Sequence, residues 1–417
     1  MTNISFVFHI YFYIIKQNTQ RYGNVFPRDW CILHRMALDF AKRTKTMITN
    51  ILLKIDPPES ADVELLLKGL TKTLAFEREA AATFEVNAAR QAVLSEGQLN
   101  ENSADSMLMD DDGNVVDPNS SAGIQLKYKR LGERNARKEK VEQMEQEQKE
   151  MEQKGLKTID VKFRGYISRS FDAYMIAYVK KERQNMDNML DEVMAEDGST
   201  DDQSGLPVLS SSVNLFGYIK QSVKRCTGYS TGQTFYNLQK EYQDVLTRYS
   251  NLLINKLPKP LNDSSSNNNN GDNNNVAAHA NYKLDDGEDV LRMACLIVNT
   301  SEYCAETSPQ LADMVREKID EAFKDHINMD AIEDSFYDVI NISIRVLASG
   351  LEQRLLKHLD IMTKMPWDTW ADVGDQSQYI GLIHQTCLDV VPLLKKLLSE
   401  TYFRSFCDSF ISSFLPQ

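Results

Sequence analysis

The sequence predicts an almost entirely helical protein. Apolar residues recur at helical spacing along most of its 417 residues, and sustained apolar–polar alternation appears nowhere. Only 18 Gly and 11 Pro interrupt the chain, which favours long helices over a turn-rich sandwich. Apolar residues at 42% and aromatics at 9% suffice to build a core.

The elements follow in order. After a turn at Tyr22-Gly23-Asn24 and Pro27, a helix pattern runs through Trp30, Leu33, Met36, Ala37, Phe40, Met47, Ile48 and Ile51. Pro57-Pro58 ends it. A second helix is expected over about 60–94, with Leu66, Leu67, Leu70, Leu74 and Phe76 on its apolar face. Residues 95–126 are acidic and polar and read as a disordered loop. Residues 127–154 are dense in Lys, Arg, Glu and Gln and read as a charge-laced helix. A further helix is expected over Val161–Met194, facing inward with Phe163, Ile167, Phe171, Tyr174 and Tyr178. Residues 185–205 are read as an acidic loop.

Residues 208–257 read as two helices broken at Thr227–Gly232 and closed by Pro258 and Pro260. Residues 261–282 hold an Asn-rich, low-complexity linker with nothing to bury. The C-terminal part is the most regular. Asp289–Tyr303 reads as one helix and Leu311–Phe323 as another, followed by helices at about 330–359, 379–398 and 400–414. The last places Phe403, Phe406, Phe410 and Phe414 on one face. These readings divide the chain into an apolar segment 1–20, helical segments 21–94, 127–260 and 283–417, and the loops 95–126 and 261–282.

Charge narrows the function. The net charge is −13, and thirteen acidic residues without a basic one sit in two segments, Asn100–Gly123 and Asn185–Gly205. The remainder is balanced and offers no global basic field, so nucleic acid is not an expected partner. The local basic run Lys127–Lys140 suggests a nucleic-acid or membrane patch, but Glu133 and Glu139 are interleaved, and it reads first as a solvated helix. Six cysteines without a C-x-x-C pair read as reduced core thiols of a cytosolic protein. Ile4–Ile15 is apolar but only twelve residues long. A membrane-spanning helix needs about 20. With no basic flank or small-residue cleavage site, it reads as a packed or interfacial segment rather than a signal or anchor.

One catalytic motif matches by letters. Gly228-Tyr229-Ser230-Thr231-Gly232 is G-x-S-x-G, the nucleophile elbow of a serine hydrolase. That chemistry needs the serine on a tight turn between a buried strand and a helix. Val223-Lys224-Arg225-Cys226-Thr227 is not a buried strand, so Ser230 is expected in a turn between helices. Asp110-Asp111-Asp112-Gly113 resembles a calcium loop, but Leu108 would occupy its first ligand position. The histidines are scattered, and phosphate and dinucleotide loops are absent. No catalytic, cofactor-binding or metal-binding residue is assigned.

Ordered strings carry a resemblance. They include Val25-Phe26-Pro27-Arg28-Asp29-Trp30, Leu74-Ala75-Phe76-Glu77, Phe163-Arg164-Gly165, Leu215-Phe216-Gly217-Tyr218, Ser230-Thr231-Gly232 and Lys256-Leu257-Pro258-Lys259. Cys295–Cys304, Met365-Pro366-Trp367, Val373–Tyr379, Phe406-Cys407 and Ser412–Pro416 follow. Together, over roughly Arg21–Gln417, they resemble the vacuolar protein sorting-associated protein 53 family. The resemblance implies an elongated rod of stacked antiparallel helical bundles. It also implies a non-catalytic subunit of the Golgi-associated retrograde protein complex and its endosome-associated recycling sister. These complexes tether vesicles in retrograde transport to the trans-Golgi network and in endocytic recycling, from the cytosolic face and as peripheral assemblies. The implied partners are sorting-associated proteins 51, 52 and 54 or syndetin, with SNAREs and small GTPases on vesicles. Against the family pattern, the chain is expected to lack the N-terminal coiled-coil region, having Met1–Gln20 in its place, and further C-terminal helices.

Overall fold

The structure is a computed structural model that describes residues 17, 32–85, 108–109, 115–116, 120–153, 162–195, 200–201, 206–259, 288–369 and 376–414. The apolar Ile4–Ile15, the Asn-rich linker and Asp110–Gly113 lie outside the described residues. What is described is all-α. Its strands are two antiparallel ladders of two residues each, Leu108–Met109 with Val115–Val116 and Thr200–Asp201 with Val208–Leu209. The chain divides into two compact units, 1–178 and 179–417.

In the first unit, α1 spans Ile32–Leu52 and α2 spans Val63–Phe84. The inward face of α1 is Ala37, Ala41, Thr44, Ile48 and Leu52, spaced by four, three, four and four residues. Met36, Met47 and Ile51, expected on that face, are exposed. Asp62 caps α2 by accepting the Leu65 amide at 3.1 Å. The helix stops at Phe84, ten residues before its expected end, where Glu85 turns extended. α3 spans Ser121–Gln153 and is capped by the Ser120 hydroxyl, which accepts the Gly123 amide at 3.0 Å. It therefore begins six residues before the expected boundary.

The largest departure lies at 161–175. The apolar residues there are buried as expected, including Phe163, Ile167, Phe171 and Tyr174. Yet the backbone is a series of turns followed by a 3₁₀ helix over Ser168–Tyr174, and α4 begins only at Ile176. Within the 3₁₀ helix the buried residues Ser168, Phe171 and Tyr174 recur every three residues, which is its period. The segment packs against both α1 and α2.

The second unit holds the rest of α4 (Ile176–Ala195), then α5 (Ser210–Thr227), α6 (Gln233–Lys256), α7 (Glu288–Lys318), α8 (Asp330–Thr363), α9 (Gln378–Leu397) and α10 (Glu400–Phe414). α8 is the hub, packing against α6, α7, α9 and α10. The expected break between Tyr303 and Leu311 is absent, and α7 runs on through Pro309. Proline removes one helical N–H. Just before it, Thr307 and Ser308 donate their hydroxyls to the carbonyls of Tyr303 and Cys304 at 2.6 and 2.8 Å. The acidic segment 185–205 also begins as helix. Asp187 and Asp191 on α4 accept Arg248 of α6 at 2.7 and 2.6 Å, and Arg183 reaches Glu241 at 2.8 Å.

Candidate interaction surfaces and the Ser230 turn

Ser230 sits in the turn between α5 and α6, with its own amide donating to the Cys226 carbonyl at 2.9 Å. Its hydroxyl accepts the Gly232 amide at 3.3 Å, a local bond that closes the turn. Next to it, Thr231 exchanges two hydrogen bonds with Asp320. The Thr231 hydroxyl donates to Oδ1 at 2.6 Å, and the Asp320 amide donates to the Thr231 carbonyl at 2.9 Å. The turn thus ties the α5–α6 connection to the end of α7. It has neither the preceding strand nor the exposed nucleophile of an elbow.

The described histidines are likewise dispersed. His34 stacks on Phe84 at 5.3 Å, His326 lies 6.2 Å from Tyr236, and His358 bonds Thr386 at 3.0 Å. Among the described residues no group of three metal-ligating side chains comes together. Cys226, Cys295 and Cys304 are buried thiols outside any disulfide. Burial pushes the Cys295 thiol up to about 12 and raises that of Cys304 as well, which keeps both in the unreactive form.

The polar groups that matter most are structural ties, and three of them fall on strings singled out in the sequence. Glu77, on α2, is buried. Its carboxylate accepts the amides of Gly165, Ile167 and Ser168 at 2.9, 2.6 and 2.8 Å and the Ser168 hydroxyl at 2.8 Å. Leu74–Glu77 and Phe163–Gly165 are therefore two halves of one contact. Asn299, buried in α7, donates to the carbonyls of Pro207 and Leu397 at 3.2 and 3.0 Å. Thr300 accepts the Leu209 amide at 2.9 Å. The Cys295–Cys304 string thus anchors both the entry to α5 and the end of α9. The third tie is the Thr231–Asp320 pair.

A fourth tie had no sequence signal. Tyr242 donates to Ser222 at 3.0 Å, and Ser222 donates to Glu182 at 2.8 Å. Arg225 grips the same carboxylate with Nη2 and Nε at 2.9 and 3.2 Å. Each buried donor thus ends on a charge.

What remains for function is surface. α9 is the most apolar of the described helices, yet it buries only Val390 and Leu394. Ile380, Leu382 and Leu388 are exposed along it, and Ile411 is exposed on α10. Phe406 is buried while Phe403, Phe410 and Phe414 stack beside it at 5.3–6.3 Å centroid separations. No described helix is long and apolar enough to cross a membrane.

Residues 7–198 match the family model described as Vps53, N-terminal. Over 400 residues, 94% of the chain, the sequence is 31% identical to vacuolar protein sorting-associated protein 53 A of Arabidopsis thaliana. The chain belongs to the Vps53 family. Residues 126–417 also match the model described as Exocyst complex component Sec6. Two more Vps53 relatives align over shorter stretches. The Caenorhabditis elegans homolog is 31% identical over 28% of this chain and 14% of its own length. The Saccharomyces cerevisiae protein is 24% identical over 54% of this chain and 26% of its own. This Vps53-family chain spans 45% of the length of the Arabidopsis relative. No catalytic family is among these matches.

Proposed function

We propose that the chain works as a non-catalytic subunit of a vesicle-tethering complex, joining partners through helical faces. The observation that carries this reading is the Vps53 match, sustained across nearly the whole chain. The Sec6 match supports the same kind of work, since that relative's name places it in a multisubunit complex. The exposed apolar side chains of α9 and α10 provide faces on which partner helices could bury area.

Within this reading the chain acts at the cytosolic face of the trans-Golgi network and of recycling endosomes, in retrograde and recycling transport. Its partners are sorting-associated proteins 51 and 52, with 54 or syndetin, and SNAREs and small GTPases on the vesicle. Association with membranes is peripheral. A cargo assay tests the pathway: cells depleted of the protein are followed for return of an endosomal receptor to the trans-Golgi network. Delayed return, rescued by re-expression, is expected. Return at the normal rate would remove the retrograde assignment.

A further inference from the structure

The basic run of α3 is exposed at Lys127, Lys129, Arg137 and Lys138. Residues 127–140 carry seven basic and two acidic side chains, net +5, and residues 141–153 carry five acidic and one basic, net −4. The helix is therefore polarised along its length, with the positive half at its N-terminal end. That order opposes the helix's own dipole, which favours acidic residues there. Helix propensity and dipole thus offer no reason for it.

The apolar residues of this half point the same way. Ile124, Tyr128 and Leu131, at i, i+4 and i+7, share one face. They are 46, 71 and 51% exposed. Lys127 and Lys138 are exposed beside them. The one buried apolar side chain of α3 among the described residues is Val141, in the acidic half. The stripe is therefore not spent on the core.

We propose that residues 124–138 of α3 form a contact for an anionic lipid surface, lying flat with Ile124, Tyr128 and Leu131 inserted among the headgroups. An exposed apolar stripe within a basic field is the pattern of an interfacial helix. Tyr and Lys suit it because each carries an apolar body and a polar tip. An acidic protein groove is the rival occupant. The cations favour lipid: spread over fourteen residues, about 20 Å of helix, they match a continuous anionic sheet better than a few fixed carboxylates. The acidic half is repelled, so contact is made by one end of the helix. This deepens the tether reading by naming where the chain itself meets a membrane.

The test uses the purified full chain, without partner subunits, so its outcome is separate from complex assembly. Binding is measured by co-sedimentation with vesicles of phosphatidylcholine alone and of phosphatidylcholine with phosphatidylserine. Binding to the anionic vesicles only, weakening with added salt, is expected. Lys127→Glu with Lys138→Glu should lower affinity by roughly fivefold or more for each basic group removed. Ile124→Ser, Tyr128→Ser and Leu131→Ser together should abolish binding, while circular dichroism stays unchanged because these side chains are exposed. Equal binding to both vesicle types, no vesicle binding, or full binding by both variants would overturn the proposal. Binding to poly-glutamate without binding to vesicles would also overturn it and assign the surface to an acidic protein.

Discussion

The Glu77 carboxylate accepts the Gly165 amide at 2.9 Å across 88 residues of sequence, and Gly165 holds a backbone φ of +77°. The positive φ turns the chain so that the amides of Ile167 and Ser168 converge on the same carboxylate. A side chain at that φ is strained, and a Cβ there would lie 3.2 Å from Arg169 Nε. Glycine and carboxylate thus specify each other.

Removing the acceptor should therefore cost more than a single hydrogen bond. Glu77→Ala leaves three amides unpaired, those of Ile167 and Ser168 buried, and is expected to destabilise the protein by about 3–5 kcal/mol. Gly165→Ala should cost about 1–2 kcal/mol. Hydrogen exchange gives the local readout: the amides of Gly165, Ile167 and Ser168 should exchange faster in Glu77→Ala, with α10 unaffected. Unchanged protection at those three amides would contradict the assignment.

The Glu182 network makes an asymmetric prediction. The Glu182 side chain is 7% exposed and that of Arg225 is 40% exposed. Glu182→Ala strands the buried Ser222 hydroxyl and should cost about 2–3 kcal/mol. Arg225→Ala leaves a carboxylate that still accepts from Ser222, and the lost arginine was already partly hydrated, so about 1 kcal/mol or less is expected. Urea denaturation of both variants measures the difference; equal losses would show that the buried carboxylate depends on Arg225 as its counter-charge.

Unit 2 should be sensitive to alkali. Burial raises the Tyr242 and Tyr249 phenols above their ordinary value of 10.0 and the Cys295 thiol from 9.0 to about 12. In each case the folded state holds its proton to higher pH than the unfolded state. Their contribution to stability is therefore complete below the unfolded values and is lost as pH rises through the folded ones. The denaturation midpoint should fall progressively above about pH 9. Tyr242→Phe with Cys295→Ala should flatten that slope while lowering stability at neutral pH. An unaltered slope would place the alkaline transition elsewhere.

The Ser230 hydroxyl makes only a local bond, so Ser230→Ala should change stability by no more than about 0.5 kcal/mol. A serine-reactive fluorophosphonate should leave the wild-type chain unlabelled. Labelling lost in Ser230→Ala would contradict the interhelical-turn assignment.

Much of the fold was legible because its cores rest on apolar spacing. α5, α6, α8, α9 and α10 fall within a few residues of their expected bounds. Several misses share one cause. Glu77, Asp187 and Asp191 are carboxylates in polar-looking sequence, and a carboxylate on a helix ordinarily reads as solvated. Their partners lie tens of residues away, at Gly165 and Arg248, where local pattern carries no trace of them. The same long-range capping holds the turns before the 3₁₀ helix Ser168–Tyr174, although the apolar spacing of 163–174 suited an α-helix. The strings around Glu77, Gly165 and Asn299 marked important places, but only the packed structure gives them their roles as ties.

Affinity purification of the tagged full-length protein from cells, with the co-purifying chains identified by mass spectrometry, tests the tethering role most directly. Recovery of sorting-associated proteins 51 and 52, together with 54 or syndetin, is the predicted result. Recovery of the chain alone as a monomer would contradict it.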